Sequence, residues 1–293
     1  MNFKDLYNKV KSKKRVVSVV CPYGEQVMTA LESAREKNIA DSILVGKKEK
    51  IKASINEIGA NTDDYKIVDA KTDKEAARKG VSFVANQEAD AIMKGKIQTA
   101  TFMRAVLDKE KGLRKGSILS HITAYEAKKY HKLLFITDGG IVLEPDLSEK
   151  IKILENAINY VHRLGINNPK VAVMAHREAV DEKVKATTDA AKLAKMNDRG
   201  QIKGAAVDGP FAFDNAISKE AAEIKGIDSE VAGDADILLV PDVVSGNLMA
   251  KAVMYMADCK FGGVVVGAKA PIILLSRADD AETKLNSIVM GLL

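Results

Sequence analysis

Several residue types are scarce or missing in this chain, and each absence excludes a class of protein. The 293 residues include no Trp, seven Tyr and seven Phe, so the aromatic residues on which nucleic-acid bases stack are few. Two cysteines, Cys21 and Cys259, are too few for a disulfide framework or a cysteine-based zinc site. The stretch MNFKDLYNKVKSKK has no signal-peptide core, and every apolar run is shorter than the roughly 20 residues of a membrane span. We therefore expect a cytoplasmic protein that binds neither nucleic acid nor membranes.

The residues that are present describe an ordinary globular chain with a modest positive charge. Hydrophobic residues make up 46% and charged residues 29%, with a net charge of +5, so there is ample material for buried cores. A length of 293 residues favours two domains over one. The basic balance favours anionic small ligands but does not identify them.

Short β-branched runs alternate with segments of helical period along most of the chain. One helical face is marked by apolar residues at 151, 154, 157, 158, 161 and 164 and ends at Gly165. This alternation is typical of an α/β fold with mostly parallel sheets flanked by helices. The predicted strands cover residues 16–21, 43–45, 66–68, 91–93, 133–137, 171–174, 205–207, 237–240, 264–266 and 272–275.

The alternation is interrupted between residues 108 and 147, where two strand-like runs lie close together. We interpret this interruption as a crossing between domains. The last strand and helix must pair somewhere, and we predict that they return to the first domain. The first α/β domain is then residues 1–114 plus 265–293, and the second is residues 115–264.

A group of cationic and hydroxyl side chains follows the predicted strand at 91–93. Lys94, Thr99, Thr101 and Arg104 lie where a helix begins, which favours a pocket for an anion. A solvated loop is the alternative interpretation. The segment has no Walker pattern, because Ile97 stands where Ser or Thr should follow the lysine, and the chain has no GxGxxG fingerprint.

Two further segments place small and polar residues between a strand and a helix. VDGPFAFDNAIS joins them through Asp208, Gly209 and Pro210, with Asp214 or Asn215 as the expected helix cap. In VPDVVSGNLMAKAVMYMA, residues 245–247, which include Ser245 and Asn247, are expected to precede a helix whose Met and Val residues face a core. Such turns together suggest phosphate binding.

The chain ends with APIILLSRADDAETKLNSIVMGLL, in which an apolar strand stops at Ser276 and Arg277. Ligands of parallel sheets bind at the carboxyl ends of strands, so this pair is placed to reach a site. The alternative is that Ser276 caps a helix and Arg277 pairs with Asp279 or Asp280 at the surface.

Three of these segments, VDGPFAFDNAIS, VAGDADILLVPDVVSGNLMAKA and PIILLSRADD, together resemble the phosphate acetyltransferase and butyryltransferase family. The resemblance extends back through SILSHITAYE and MKGKIQTATFMRAVL and is strongest to the butyryltransferase branch. It implies two α/β domains of the isocitrate and isopropylmalate dehydrogenase type with a cleft between them. It also implies reversible acyl transfer between coenzyme A and inorganic phosphate in a homodimer or larger homo-oligomer, with coenzyme A as substrate and no metal or other cofactor.

The resemblance also implies roles for single residues. Arg277 would bind the acyl phosphate and stabilise developing charge, Ser276 would hydrogen-bond the thiol or carbonyl, and Arg104 would clamp phosphate. A carboxylate seven residues beyond the serine is the base proposed for the acetyltransferases, but Thr283 stands there. Glu282 and Asp280 are the candidate bases close in sequence, although a helix turns Glu282 about 100° from that position.

Two other functions compete with transfer of a butyryl group. The first is an acetyl-specific transferase of the same family. The second is an oxidoreductase of the related dehydrogenase fold, which would require a metal site. The absence of clustered His and Asp ligands in the sequence counts against the oxidoreductase.

Overall fold

The computed structural model describes residues 1–11, 15–274, 276 and 278–293 and divides the chain into two units. The terminal unit comprises Phe3–Ser117 and Gly262–Leu293. The central unit comprises Met1–Asn2 and Ile118–Phe261. The domain boundaries expected from the sequence, after residues 114 and 264, stay a prediction.

Strands and helices alternate through most of the described chain. The strands, numbered along the chain, are β1 (Val16–Val20), β2 (Asp41–Gly46), β3 (Lys66–Asp69), β4 (Ala91–Lys94), β5 (Ser120–Ala127), β6 (Leu134–Thr137), β7 (Lys170–Met174), β8 (Ala206–Phe211), β9 (Ile237–Leu239), β10 (Cys259–Val266) and β11 (Ile272–Ile273). The helices are α1 (Phe3–Val10), α2 (Glu25–Glu36), α3 (Lys48–Glu57), α4 (Asp73–Ala85), α5 (Thr99–Val106), α6 (Leu147–Arg163), α7 (Lys185–Asp198), α8 (Phe213–Ile217), α9 (Lys219–Ile224), α10 (Val243–Met256) and α11 (Ala281–Leu292). Among these described helices, none combines the length and apolar character that crossing a membrane requires.

The terminal unit is built on strands in the order β3-β2-β1-β4-β11-β10. Neighbouring strands are parallel except β10 and β11. Four of the five residues of β1 are buried, as expected for a strand covered on both faces. Its one polar residue, Ser18, donates a hydrogen bond to the backbone oxygen of Gly80 in α4 at 2.9 Å, so the buried hydroxyl is satisfied.

The central unit has the strand order β5-β6-β9-β7-β8, and only β5 and β6 are antiparallel among these pairs. The helix α6 begins with a capping box, in which Asp146 and Glu149 each accept from the other's backbone N–H. It ends near Gly165, whose φ of +87° suits glycine. The predicted fold class, α/β with mostly parallel sheets flanked by helices, is thus confirmed.

The interpretation of residues 208–210 as a turn was wrong. β8 continues through Asp208, Gly209 and Pro210 to Phe211. It is the last strand in the order of the central unit, and proline is tolerated in such a strand because its missing N–H leaves no neighbour unpaired. The expected cap was also wrong, since Ala212 occupies the N-cap of α8 and residues 214 and 215 lie inside the helix.

The helix α10 also differs from its prediction. It begins at Val243 and is capped by Asp242, so residues 245–247 lie within its first turns. The Met and Val residues were expected in a core, and Met249 and Val253 do pack against one. Leu248, however, is 66% exposed and Val244 64% exposed, so α10 also presents an apolar face to solvent.

Candidate active site

A cavity of about 390 Å³ lies in the terminal unit, where β1 and β4 end and α2 begins. It is lined by the first turn of α2 and the turn before it, and by Lys94, Gly95, Lys96, Ser276 and Lys284. Ligands of parallel sheets collect at the carboxyl ends of strands, and the first turn of a helix offers unpaired backbone N–H groups. The cavity combines both features.

Gly95 joins the ends of β1 and β4 at the wall of this cavity. Its backbone N–H donates to Val20 O at 2.8 Å, and the next N–H, of Lys96, donates to Cys21 O at 2.7 Å. A Cβ atom at position 95 would lie 2.2 Å from the same Cys21 oxygen. Only glycine permits this close approach of two backbones, and it places Lys94 and Lys96 beside the turn before α2.

The charge of the lining is mainly positive. Lys94, Lys96 and Lys284 contribute three ammonium groups, against the single carboxylate of Glu25. Lys94 is 6% exposed and donates to Gly95 O at 3.4 Å, whereas Lys96 is exposed. Cations in a concave site with low-dielectric walls raise the local concentration of anions, so the cavity is suited to a phosphorylated or otherwise anionic ligand.

Ser276 reaches the cavity from the segment that follows β11. Its backbone N–H donates to the Asp279 carboxylate at 2.8 Å, and its Oγ accepts from the N–H of Ala278 at 3.3 Å. The serine does not cap α11, because Asp280 is the N-cap residue. Its hydroxyl is exposed and lines the cavity, so it is accessible to a ligand. Arg277, the second member of the pair, lies outside the described residues.

The two candidate bases are engaged elsewhere within the described part of the unit. Asp280 accepts from the backbone N–H of Thr283 at 2.8 Å as the cap of α11. Glu282 is exposed, and burial together with the charge of Glu282 raises the pKa of Tyr7 in α1. The lining of the cavity includes neither carboxylate. Thr283, at the position of the carboxylate proposed for the acetyltransferases, is buried. Because neither Asp280 nor Glu282 lines the cavity, the base role of either residue stays a prediction without support from the geometry.

Three of the residues predicted to form an anion pocket lie on α5, which follows the cavity-lining residues 94–96 in sequence. Thr99 is the first residue of the helix and is exposed, Thr101 is half-buried, and Arg104 is exposed in the last turn. None of the three belongs to the cavity lining. Of the predicted residues in the terminal unit, the structure therefore brings together Lys94 and Ser276 at one cavity.

The three candidates in the central unit already have hydrogen-bond partners. Asp208 accepts from the N–H of Gly209 at 2.7 Å. Ser245 Oγ donates to Asp242, the cap of α10, at 2.9 Å to its carboxylate. Asn247 donates to the backbone oxygen of Gly139 at 3.3 Å. These contacts lie within strand β8 and in the first turns of α10, and a role in binding substrate stays a prediction.

Cys21 has the environment of a buried structural residue. It is fully buried, and its Sγ lies 3.8 Å from an Asp73 carboxylate oxygen. Burial, with a second contribution from Asp73, raises the pKa of the thiol to about 11. A thiol in this state is protonated at neutral pH and is a poor nucleophile.

Sequence reasoning missed two parts of the cavity. The first is the turn before α2, where Gly24 has a φ of +95° and occupies the N-cap. The end of the predicted strand 16–21 at Cys21, followed by Pro22 and Gly24, was the available sequence signal for this turn. The second is Lys284, for which the sequence offers no signal, because a lysine in the first turns of a helix is usually solvated.

A parallel α/β sheet with a lysine-lined cavity at its strand ends is typical of enzymes that bind anionic small molecules. Comparisons with known proteins identify the family. Residues 74–292 match the family model described as "Phosphate acetyl/butaryl transferase", and the chain belongs to this family of acyltransferases.

Relatives match the chain over nearly its whole length. It is 46% identical to the phosphate butyryltransferase of Clostridium acetobutylicum, covering 100% of this chain and 97% of that protein. It is 38% identical to the phosphate acetyltransferase of Thermotoga maritima, covering 99% of both. The prediction of the family is confirmed.

Solved structures support the same fold. A branched-chain phosphotransacylase from Enterococcus faecalis V583 has a TM-score of 0.85 and 28% identity, covering 95% of this chain and 98% of that one. A 4-hydroxythreonine-4-phosphate dehydrogenase from Klebsiella pneumoniae has a TM-score of 0.58 and 11% identity, covering 96% and 99%. The second likeness shows the fold alone, and it agrees with the dehydrogenase-like architecture expected from the sequence.

Proposed function

We propose that this protein is a phosphate butyryltransferase, which converts butanoyl-CoA and phosphate into butanoyl phosphate and coenzyme A, and the reverse. The observation that carries the proposal is the 46% identity with a phosphate butyryltransferase over all 293 residues. The cavity of the terminal unit supports it, because Ser276 and three lysines meet there at the ends of parallel strands.

The reaction makes defined demands on such a site. A phosphate oxygen attacks the thioester carbonyl carbon, the new C–O bond forms, and the C–S bond breaks with its electron pair leaving on sulfur. Negative charge therefore develops on the carbonyl oxygen and then on the thiolate. In the proposal, the ammonium groups of Lys94 and Lys96 hold the phosphate anion and Ser276 hydrogen-bonds the thioester. Arg277 binds the acyl phosphate and stabilises the developing charge, and Arg104 clamps phosphate, as the family resemblance implies.

The proposal includes direct attack in a ternary complex, without an acylated cysteine and without a metal or a nicotinamide. Cys21 supports this mechanism because its thiol is buried and its pKa is raised. The absence of a metal requirement is tested by measuring activity in the presence of a chelator, and we expect unchanged rates. Loss of activity that is restored by one added divalent metal would contradict this part of the proposal.

The experiment that tests the function is phosphate-dependent release of free thiol from acetyl-, propionyl-, butyryl- and branched acyl-CoA. We expect butyryl-CoA to have the highest kcat/KM. The differences should be graded, because one methylene in an apolar pocket changes discrimination by about 1–3 kcal/mol. Fastest turnover of acetyl-CoA would favour the acetyltransferase alternative, and no thiol release from any of them would exclude both.

We also propose a homodimer in which α10 contacts a second copy. Val244, Leu248 and Tyr255 lie on one face of this helix and are 64%, 66% and 77% exposed. Apolar faces of this kind mark interaction surfaces, and a twofold axis would bury the same face of both copies. Sedimentation should give a dimer for the wild type and a monomer for Leu248→Asp. An unchanged dimer would place the interface elsewhere.

The proposed location is the cytoplasm. Both cysteines are free within the described structure, which suits a reducing compartment. Cell fractionation with antibody detection tests it, and recovery in the membrane or extracellular fraction would contradict it.

A further inference from the structure

Lys284 is a buried lysine to which neither the sequence nor the family resemblance assigns a role. It is the fourth residue of α11, one turn after the cap residue Asp280, and it is 3% exposed. Its side chain nevertheless lines the same cavity as Ser276 and Lys94. A charged side chain so deeply buried normally has a partner or a function.

The ammonium group of Lys284 is directed at the segment that carries Ser276. It donates to the backbone oxygen of Ser276 at 3.5 Å and to that of Asp279 at a shorter distance. The Asp279 carboxylate in turn accepts from the N–H of Ser276 at 2.8 Å. Lys284 therefore completes a set of hydrogen bonds that ties both ends of this turn to α11.

The partners of Lys284 do not neutralise its charge by contact. Within the described residues it forms hydrogen bonds to carbonyl oxygens and no ion pair. Asp279 and Asp280 favour its charged form from nearby, but burial outweighs them and lowers the pKa of the lysine. The buried lysine of the central unit, Lys150, instead contacts the Asp189 carboxylate at 2.8 Å. Lys284 is thus held beside the cavity by carbonyl oxygens, where Lys150 is held by a carboxylate.

We propose that Lys284 is a positioning residue, which fixes Ser276 at the cavity by holding the carbonyl oxygens of Ser276 and Asp279. This inference rests on the proposed function for the role of Ser276. A hydroxyl that hydrogen-bonds a reacting thioester must be held to a fraction of an ångström, and a displacement of about 1 Å is enough to lower a rate about 100-fold. A freely moving Ser276 segment would bind substrate but align it poorly.

The test compares Lys284→Ala with Lys150→Ala, a matched removal of an equally buried lysine outside the candidate site. Phosphate-dependent thiol release from butyryl-CoA gives kcat and KM. Amide hydrogen exchange of residues 276–280 reports whether the turn has loosened, independently of activity. Since the cavity adjoins Lys284, methylammonium and ethylammonium ions should enter the space left by alanine and restore part of the rate.

In Lys284→Ala we expect kcat to fall about 10- to 100-fold, KM to change less than about 3-fold, and exchange at residues 276–280 to accelerate. Lys150→Ala should lower the melting temperature and leave kcat per folded molecule, the exchange of this peptide and the response to amines unchanged. If either alanine variant fails to fold, the corresponding Lys→Met variants, which keep the length of the side chain, provide the same comparison.

Unchanged exchange in the folded Lys284 variants would overturn the proposed holding role. Accelerated exchange with unchanged kcat would overturn its importance for the reaction. A rate loss that small amines do not restore, and that Lys150→Ala shares, would reduce Lys284 to a structural residue. If the wild type releases no thiol from any acyl-CoA while exchange still accelerates in Lys284→Ala, the proposed function fails and the holding of the segment stands.

Discussion

The two units bury lysines in different ways. In the central unit Lys150 of α6 contacts Asp189 of α7, and both side chains are about 5% exposed or less. In the terminal unit Lys284 of α11 is equally buried but donates to backbone carbonyl oxygens beside a cavity. A carboxylate partner neutralises a buried charge within an ion pair, whereas the carbonyl partners of Lys284 use its ammonium group to hold a segment of backbone.

The same contrast separates the candidate site residues. Those of the central unit hydrogen-bond within strand β8, to the cap of α10 or to the Gly139 backbone, whereas Lys94 and Ser276 of the terminal unit line the cavity. We therefore expect substitutions at the candidate site residues of the terminal unit to change kinetics and those at the buried Lys150–Asp189 pair of the central unit to change stability.

The largest expected effect is on Arg277, whose role rests on the family resemblance because it lies outside the described residues. Arg277→Ala should lower kcat/KM by about two to four orders of magnitude, the scale of losing a charge-stabilising group. Arg277→Lys should recover only part, since an ammonium group cannot hold two oxygens in the planar geometry of a guanidinium. Steady-state rates and thermal melting are measured on both variants.

The matched control is Arg199→Ala, which removes an exposed arginine of the central unit. It should leave rates and melting unchanged. Near-normal turnover in Arg277→Ala would remove this residue from the mechanism and would break the contrast between the units.

The second prediction concerns the buried pair of the central unit. Asp189→Ala leaves Lys150 without its carboxylate and should lower the free energy of unfolding by about 3–5 kcal/mol. Urea denaturation measures this change, while kcat per folded molecule should stay within about 2-fold of the wild type. The double variant Lys150→Met, Asp189→Leu should regain most of the stability, since apolar groups can replace a buried pair. A loss below about 1 kcal/mol in the single variant would show that the pair contributes as little as a surface ion pair.

The stability of the protein should also depend on one buried group of each unit, at acidic pH for the central unit and at alkaline pH for the terminal unit. Burial opposes ionisation of Asp189, but hydrogen bonds from Lys150 and Lys185 outweigh it and lower the pKa of the carboxyl below 3.8. Its stabilising contribution is therefore complete above pH 3.8 and is lost as the pH falls through the lowered folded value. Asp189→Asn should approach the wild type in stability as the pH falls through this range.

Lys284 should make the stability of the protein depend on pH in the alkaline range. Burial lowers its pKa from 10.5, so between the folded value and 10.5 the unfolded chain binds more protons than the folded chain. The free energy of unfolding of the wild type, minus that of Lys284→Met, should therefore rise with pH. The measurement is urea denaturation of both proteins from about pH 7 to about pH 10. A difference that is constant with pH would show that Lys284 is not desolvated.

The smallest effect is expected for the cysteines. The double variant Cys21→Ser, Cys259→Ser should retain most activity if it folds, because phosphate itself attacks the thioester and the Cys21 thiol is protonated and buried. Thiol release by the variant and mass spectrometry of the wild type with substrate are the measurements. An acylated Cys21 would contradict direct attack.

Much of the fold follows from local sequence. The β-branched runs at 16–21 and 91–93 coincide with β1 and β4 because a strand covered on both faces needs an uninterrupted apolar run. Asp208 to Pro210 was misread because the same residues favour turns, and their position at the edge of the central unit's strands depends on the order of distant segments. Strand order is a tertiary property that no local pattern specifies.

The site was less predictable than the fold. Lys94 and Ser276 were found because each follows a strand, and the ends of parallel strands meet at one edge. Lys284 could not be found, because its burial depends on how α11 packs against other parts of the unit. The sequence around a single lysine does not indicate such packing. The apolar face of α10 was misread for a related reason: an apolar stripe is the same whether it faces a core or solvent.

The meeting of β1 and β4 at Gly95 limits how this cavity could be redesigned. Because a Cβ there would lie 2.2 Å from a backbone oxygen, no side chain can be introduced at position 95 without separating the two strands. Attempts to widen or narrow the cavity for other ligands have to use other lining residues, such as Gln26 and Val27 of α2. The main chain thus fixes the cavity at position 95, and changes to its size have to come from the residues around it.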